Sequence, residues 1–458
     1  MHNPFDESSN LSIIRHGIAS GLAVVLALLL TACQPTPESV AVIQAGDFLE
    51  NLQEVPFEPY EAPGHVSDRK TKNGLAITFD AEVIVPEASA YSIVELEQVK
   101  YTQDDYSNLM ELLMPEGEWI NSLPKTKAWW IKRYYIVKTS ERFSEAEKKA
   151  NEEYSPESIA AAPETVEKTP FDLDAAIVAG SGNAWCERPD GSYSTFAMNI
   201  KMGNWTYCRN ESNYPVFESS LQPESTESDE FLMPDFERNF DISEENALEH
   251  AQWLLAELGL DSSFELFSAE KAILYSLERM PLSCGWYFIF TRTNNGLQVP
   301  FDYGGWMTWQ GSPAPSYSAP WEREMLTICV DADGVVECSA RGLSRQTQVL
   351  YDNVALLPFD ALLERIERQM VFQHAFQQEG ITDQAVKINS IALRLSVINI
   401  KDKPGYGMLI PSWWVDYCSS YKQNGIECSF NNTTIFNAID GSYIEPRAPL
   451  ETLSRQTN

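Results

Sequence analysis

Leu326-Thr327-Ile328-Cys329-Val330-Asp331-Ala332-Asp333-Gly334-Val335-Val336-Glu337-Cys338-Ser339-Ala340 is the stretch on which the fold turns. β-Branched and apolar residues flank an Asp-Gly pair, a pattern that predicts two antiparallel strands joined by a tight turn. A two-residue turn at Asp333-Gly334 would set Cys329 opposite Cys338. They would then occupy a non-hydrogen-bonded position, where Cα atoms lie about 4.5 Å apart, just within disulfide range.

Upstream of the hairpin, Ser243 can cap a helix ending at Leu258, with Ala247, Ala251, Leu254 and Leu258 at helical spacing and Gly259 at its end. Strands are expected at 272–276 and 286–292. The order then recurs: a helix over 359–372, strands over 386–400 and 406–418, and a hairpin about Asp440-Gly441. Thr327-Ile328 and Thr434-Ile435 precede their Asp-Gly turns at the same distance, which suggests tandem helix-plus-sheet units at 242–345 and 355–450. Two Asp-Gly hairpins also arise in α+β chains without duplication.

Toward the N-terminus, residues 76–85 alternate apolar and polar side chains as a half-buried strand does, and a second strand is expected at 91–101. Asp104 and Asp105 open an expected helix through Met114. Residues 126–153, with Trp129, Trp130, Tyr134 and Tyr135, read as helical, although Ile136 and Val137 would also suit a strand. Short strands are expected around Cys186 and Cys208, and the acid-rich passage 222–241 is the expected domain boundary. The expected class is α+β, antiparallel sheets with packed helices, divided into an N-terminal domain at 73–221 and a C-terminal domain at 242–458.

The chain has 458 residues with 33 basic and 66 acidic side chains, a net charge of -33. That balance argues against a duplex-binding groove or a polybasic membrane patch, both of which need clustered Lys and Arg, so no nucleic-acid partner is expected. Residues 18–30 form a short apolar run, behind Arg15 and His16 but with Asp6 and Glu7 weakening the usual positive start. The run ends in Leu30-Thr31-Ala32-Cys33, which resembles the lipobox of bacterial lipoproteins. The resemblance implies removal of signal peptide 1–32, diacylglycerol on the Cys33 sulfur and an acyl group such as palmitate on the new amino terminus. The chain would then sit on the extracytoplasmic face of a cell membrane, held by its lipid. Residues 33–72, with Pro35, Pro37, Pro56, Pro59 and Pro63, have the composition of an extended tether.

A second resemblance is carried by Phe436-Asn437-Ala438-Ile439-Asp440-Gly441-Ser442-Tyr443-Ile444, after a strand ending in Pro411-Ser412-Trp413-Trp414. It is similar to the terminal hairpin of PepSY-type extracytoplasmic domains. From Leu75 onward the chain resembles an uncharacterised family of Gram-positive lipoproteins, which implies no catalytic residue.

Beyond Cys33, local pairs suggest disulfides between Cys329 and Cys338, between Cys418 and Cys428 across a five-residue loop, and between Cys186 and Cys208. Small buried thiols are the alternative, and Cys284 is left over as one. No metal or cofactor is expected. There is no CxxC pair, His65, His250 and His374 lie far apart, and Asp331 and Asp333 lack the closing Glu of a calcium loop. Nucleophile elbows and phosphate-binding loops are missing. The remaining candidate is an aromatic stretch, Tyr303, Trp306, Trp309, Tyr317 and Trp321, interleaved with prolines as a long loop would be. Rigid aromatics on loops favour partner or glycan contact, whereas folding back would cover a sheet edge. The functional expectation is a non-catalytic, membrane-anchored protein binding an envelope protein, glycan or small ligand. The alternative is an envelope hydrolase acting on carbohydrate through a carboxylate pair.

Overall fold

The computed structural model describes residues 49, 52–115, 117–131, 134, 155–189, 191–209, 216–217, 240–275, 281–301, 317–318, 320–321, 323–375, 379–400 and 403–445. The chain begins with β1 (His65–Lys72), β2 (Leu75–Ile84) and β3 (Ile93–Gln98). A middle segment follows: α1 (Gln103–Leu113), β4 (Trp119–Ile120), α2 (Pro156–Ala161), α3 (Leu173–Ala179), β5 (Ser181–Glu187), β6 (Tyr193–Asn199), β7 (Asn204–Cys208) and β8 (Val216–Phe217). It continues through α4 (Glu244–Glu257), β9 (Phe264–Tyr275), β10 (Pro281–Asn294), β11 (Leu297–Gln298), β12 (Tyr317–Ser318), β13 (Met325–Asp331) and β14 (Gly334–Arg341). The chain ends with β15 (Ser344–Tyr351), α5 (Phe359–His374), β16 (Ile381–Asn399), β17 (Tyr406–Gln423), β18 (Ile426–Asn437) and β19 (Tyr443–Glu445). Strand far outweighs helix, and most pairings are antiparallel.

The two sheets do not follow the two halves of the chain. The first runs β1-β2-β16-β17-β18-β19-β12, with β3 and β15 attached through β17, so it joins the beginning of the chain to its end. The second runs β4-β5-β6-β7-β14-β13-β10-β9-β8, built wholly from the middle segment. The expected boundary at 222–241 therefore falls between strands of one sheet, and the second unit is nested inside the first. Val99 donates its N–H to Leu343 O at 2.8 Å where the chain leaves the first sheet and returns to it. Residues 65–72, expected in the tether, form the edge strand β1, and Leu52, Phe57 and Tyr60 pack on the first core.

Each sheet carries a core. In the first, α5 lays Phe359, Leu362, Ile366 and Met370 against Ile77, Ile391, Leu393 and Trp413. In the second, α1 and α4 cover Phe196, Trp205, Phe288 and Ile328. Both helices start as their sequences dictate: Thr102 and Asp105 form a reciprocal capping box on α1, and Ser243 Oγ accepts the Asn246 N–H on α4. The units meet at the β10-β11 turn, whose Asn295 and Gly296 have φ of 53° and 84°. A Cβ on Gly296 would lie 2.3 Å from Glu87 O. Arg292, nearly buried, donates from Nη2 to Glu324 Oε1 at 2.8 Å and to Ser344 O at 2.5 Å, tying the second sheet to the start of β15.

A helix followed by antiparallel strands occurs twice in the second half of the chain. Helix α4 precedes the antiparallel order β9-β10-β13-β14, and α5 precedes β16-β17-β18-β19. The faces are not in register. Ile328 pairs with Phe288 on the helix side, whereas Ile435 pairs with Trp414 on the side away from α5. Trp413, paired with Phe436, is the one that meets Phe359 of α5, at 5.8 Å between ring centroids.

The register also removes the expected disulfides. Asp331 pairs with Gly334, so the turn is Ala332-Asp333, and a bulge then shifts the pairing so that Cys329 opposes Glu337 and Ile328 opposes Cys338. The side chain of Asp331 holds this turn: it accepts the Asp333 N–H at 2.9 Å, and Arg209 Nη2 donates to both of its oxygens, at 2.6 and 2.5 Å. Arg209 in turn donates its N–H to Val336 O at the bulge. Cys329 and Cys338 consequently point to opposite faces, one into a small satellite cluster and one into the second core. In the β17-β18 hairpin a two-residue turn, Asn424-Gly425, replaces the expected five-residue loop, so Cys418 opposes Asn431 and Cys428 opposes Tyr421. Cys186 and Cys208 are separated by β6 and also face opposite ways, since Cys186 pairs with Ser194 and Cys208 with Thr195. No disulfide is formed among the described residues.

Candidate functional site

The aromatic stretch divides. Tyr303, Trp306 and Trp309 lie outside the described residues, as do Leu30, Thr31, Ala32 and Cys33. Tyr317 is in β12, which adds to the sheet edge by pairing with Ile444 in a parallel arrangement. Trp321 is 2% exposed and belongs to the first core, which removes it as a contact residue. Its burial follows from the β12 pairing, which brings the chain back over the sheet: a Cβ on Gly407 would lie 2.9 Å from Pro320 Cγ.

This return brings Arg323 to the face of the first sheet that lies away from α5. There its guanidinium stands 5.1 Å from the Trp414 ring centroid. Trp414 donates from Nε1 to Ser412 Oγ at 3.1 Å, and Ser412 Oγ shares a 2.7 Å hydrogen bond with Ser396 Oγ. The register places Arg394 opposite Ser412 and Ala392 opposite Trp414 on this same face. Asp416, two residues beyond Trp414, accepts from Thr433 Oγ1 at 2.6 Å.

Arg394 differs from the other inward arginines. Arg209 and Arg292 are nearly buried and each is paired with a carboxylate, Asp331 and Glu324. Arg394 is half-buried, and among the described residues it makes no ion pair. Burial lowers its pKa, and the Asp416 carboxylate acts in the opposite sense. Strand alternation keeps Arg394, Ala392, Ser412, Trp414 and Asp416 on one face. On this face the Trp414 ring carries the Arg323 guanidinium, and the half-buried Arg394 and the hydrogen-bonded Ser396–Ser412 pair lie on the same side of the sheet. This face can attract a ligand by charge, and among the described residues it holds no nucleophile with an adjacent base.

Adjacent on β17, Trp413 and Trp414 take opposite faces, and both are buried, at 0% and 8% exposure. Arg394 is not among the residues singled out from the sequence, although a lone guanidinium in Ile391-Ala392-Leu393-Arg394-Leu395 is a visible signal. His374, at the end of α5, lies against Tyr417 with Nε2 3.0 Å from the phenol oxygen, and burial lowers its pKa. No group of three or more metal-ligating side chains forms among the described residues. No described helix is long and apolar enough to cross a membrane.

No family model matches the chain, and no curated protein matches it. Among solved structures it is similar to an uncharacterized protein from Eubacterium rectale, at 12% identity over 89% of this chain and 97% of that one, with a TM-score of 0.39. A likeness that distant carries no functional argument.

Proposed function

We propose that the chain is a lipid-anchored extracytoplasmic protein that works by binding, with its contact site on the first sheet around Trp414. The Leu30-Thr31-Ala32-Cys33 sequence supports the anchor and the membrane location. The observation that carries the binding reading is the Trp414 ring overlaid by Arg323, with Arg394 on the same face of the sheet. In this reading the two helix-plus-meander units are a tandem repeat of one α+β module, of which the second presents the site.

Two measurements test this. Radiolabelled palmitate should enter the wild-type chain and not Cys33→Ser; equal labelling would overturn the anchor. For binding, protein labelled with 5-fluorotryptophan gives a 19F resonance for Trp414, assigned by its loss in Trp414→Phe. That resonance should shift on titration with small envelope components, including neutral glycan fragments. A resonance that none of them moves would overturn the site.

A further inference from the structure

We infer that the ligand held beside Trp414 carries an oxyanion, a carboxylate or phosphate, and that Arg394 receives it. This rests on the binding reading of that face and adds the chemical class of the ligand.

The argument starts from the cost of half-burying a charge. A guanidinium removed from water needs a partner, because its five N–H donors and its charge are otherwise solvated only in part. This chain supplies such partners elsewhere: Arg209 donates from Nη2 to both oxygens of Asp331, and Arg292 binds Glu324 through Nε at 2.5 Å and Nη2 at 2.8 Å. With 66 acidic side chains available, an arginine kept without a contacting carboxylate is a departure from the chain's own habit. Asp416 acts on Arg394 from a distance, and its carboxylate is already engaged by Thr433. A planar guanidinium matches the two oxygens of a carboxylate or phosphate. Arg323 stands over the Trp414 ring on the same face of the sheet, which adds a second positive charge to that face. The net charge of -33 repels anions generally, which makes a guanidinium without a contacting carboxylate the place where an anion can be held.

The test uses the full chain and two probes, inorganic phosphate and succinate, followed through the 19F resonance of Trp414 at constant ionic strength. At least one probe should shift the resonance saturably, and which one does so separates the two sources. Arg394→Gln should weaken that affinity at least tenfold, and Arg394→Lys should weaken it too, because an ammonium keeps the charge but lacks the fork. Both variants should melt near the wild-type temperature, since neither loses an ion pair. If neither probe moves the resonance while a neutral glycan does, the oxyanion inference fails and the binding reading survives. If nothing moves it, both fail. Affinity unchanged in Arg394→Gln would also overturn the inference.

Discussion

Glu337 stands between Cys208 and Cys329 in one row across β7, β14 and β13, 3% exposed, and burial lifts its pKa from 4.5 to about 7. The unfolded chain releases this proton near 4.5 and the folded chain near 7. The native state therefore binds the extra proton between those values, and stability declines as pH rises through that window. The difference is on the order of 3 kcal/mol. Urea unfolding at pH 5 and pH 8 should show it, and Glu337→Gln should flatten the slope; a slope unchanged in that variant would assign the effect elsewhere. Trp321→Ala should lower stability by about 3 to 5 kcal/mol, as emptying a large core site does. A melting temperature near that of wild type would return Trp321 to the surface. For Arg292, removal of one partner leaves Glu324 buried with an uncompensated charge, so Arg292→Gln should cost roughly 3 kcal/mol or more, unlike Arg394→Gln.

At the scale of elements, the two hairpins show how one residue of register changes chemistry. Asp331 and Arg209 fix the turn at Ala332-Asp333, and the bulge at Val336 then sends Cys329 and Cys338 to opposite faces. Cys329, Cys338, Cys418 and Cys428 should all alkylate in denaturant without reductant, as peptide mapping would show. Recovery of a Cys329-Cys338 cross-linked peptide would contradict the register. Burial pushes the Cys329 and Cys338 thiols well up, so in the folded protein both should react far more slowly than Cys418. The same reasoning applies to the β10-β11 turn, where Gly296 lies against Glu87 O. Gly296→Ala combines a left-handed φ with a backbone clash and should destabilise the junction of the two units by about 2 kcal/mol.

For the whole molecule, nesting makes a specific demand. Val99 and Leu343 are hydrogen-bonded neighbours, so replacing residues 101–341 with a short Gly-Ser bridge should leave β1 to β3 able to pair with β15 to β19. The outer unit would lose Leu297, Val299 and Trp321 from its core and the β12 pairing, and it should melt well below the full chain while remaining cooperative. A chain with dispersed amide NMR signals meets the expectation; one that stays unfolded would show that the insert is required.

Local patterns determined much of this protein: the alternation over 76–85 became β2, Ser243 capped α4, and Asp440-Gly441 falls between β18 and β19. Such features depend on φ/ψ preference and on side-chain period, which neighbours in sequence share. Tertiary structure alone decided which strands pair across the span from Ala76 to Ala385, since β2 beside β16 encloses an entire second unit and no local signal reports it. It also decided the thiols, because a carboxylate on one strand and an arginine on another set the bulge. The candidate site follows the same division. Trp414 was visible as one of two adjacent tryptophans. Arg394 became a candidate once the sheet set it beside that ring, half-buried and without the carboxylate that its neighbours in the core possess.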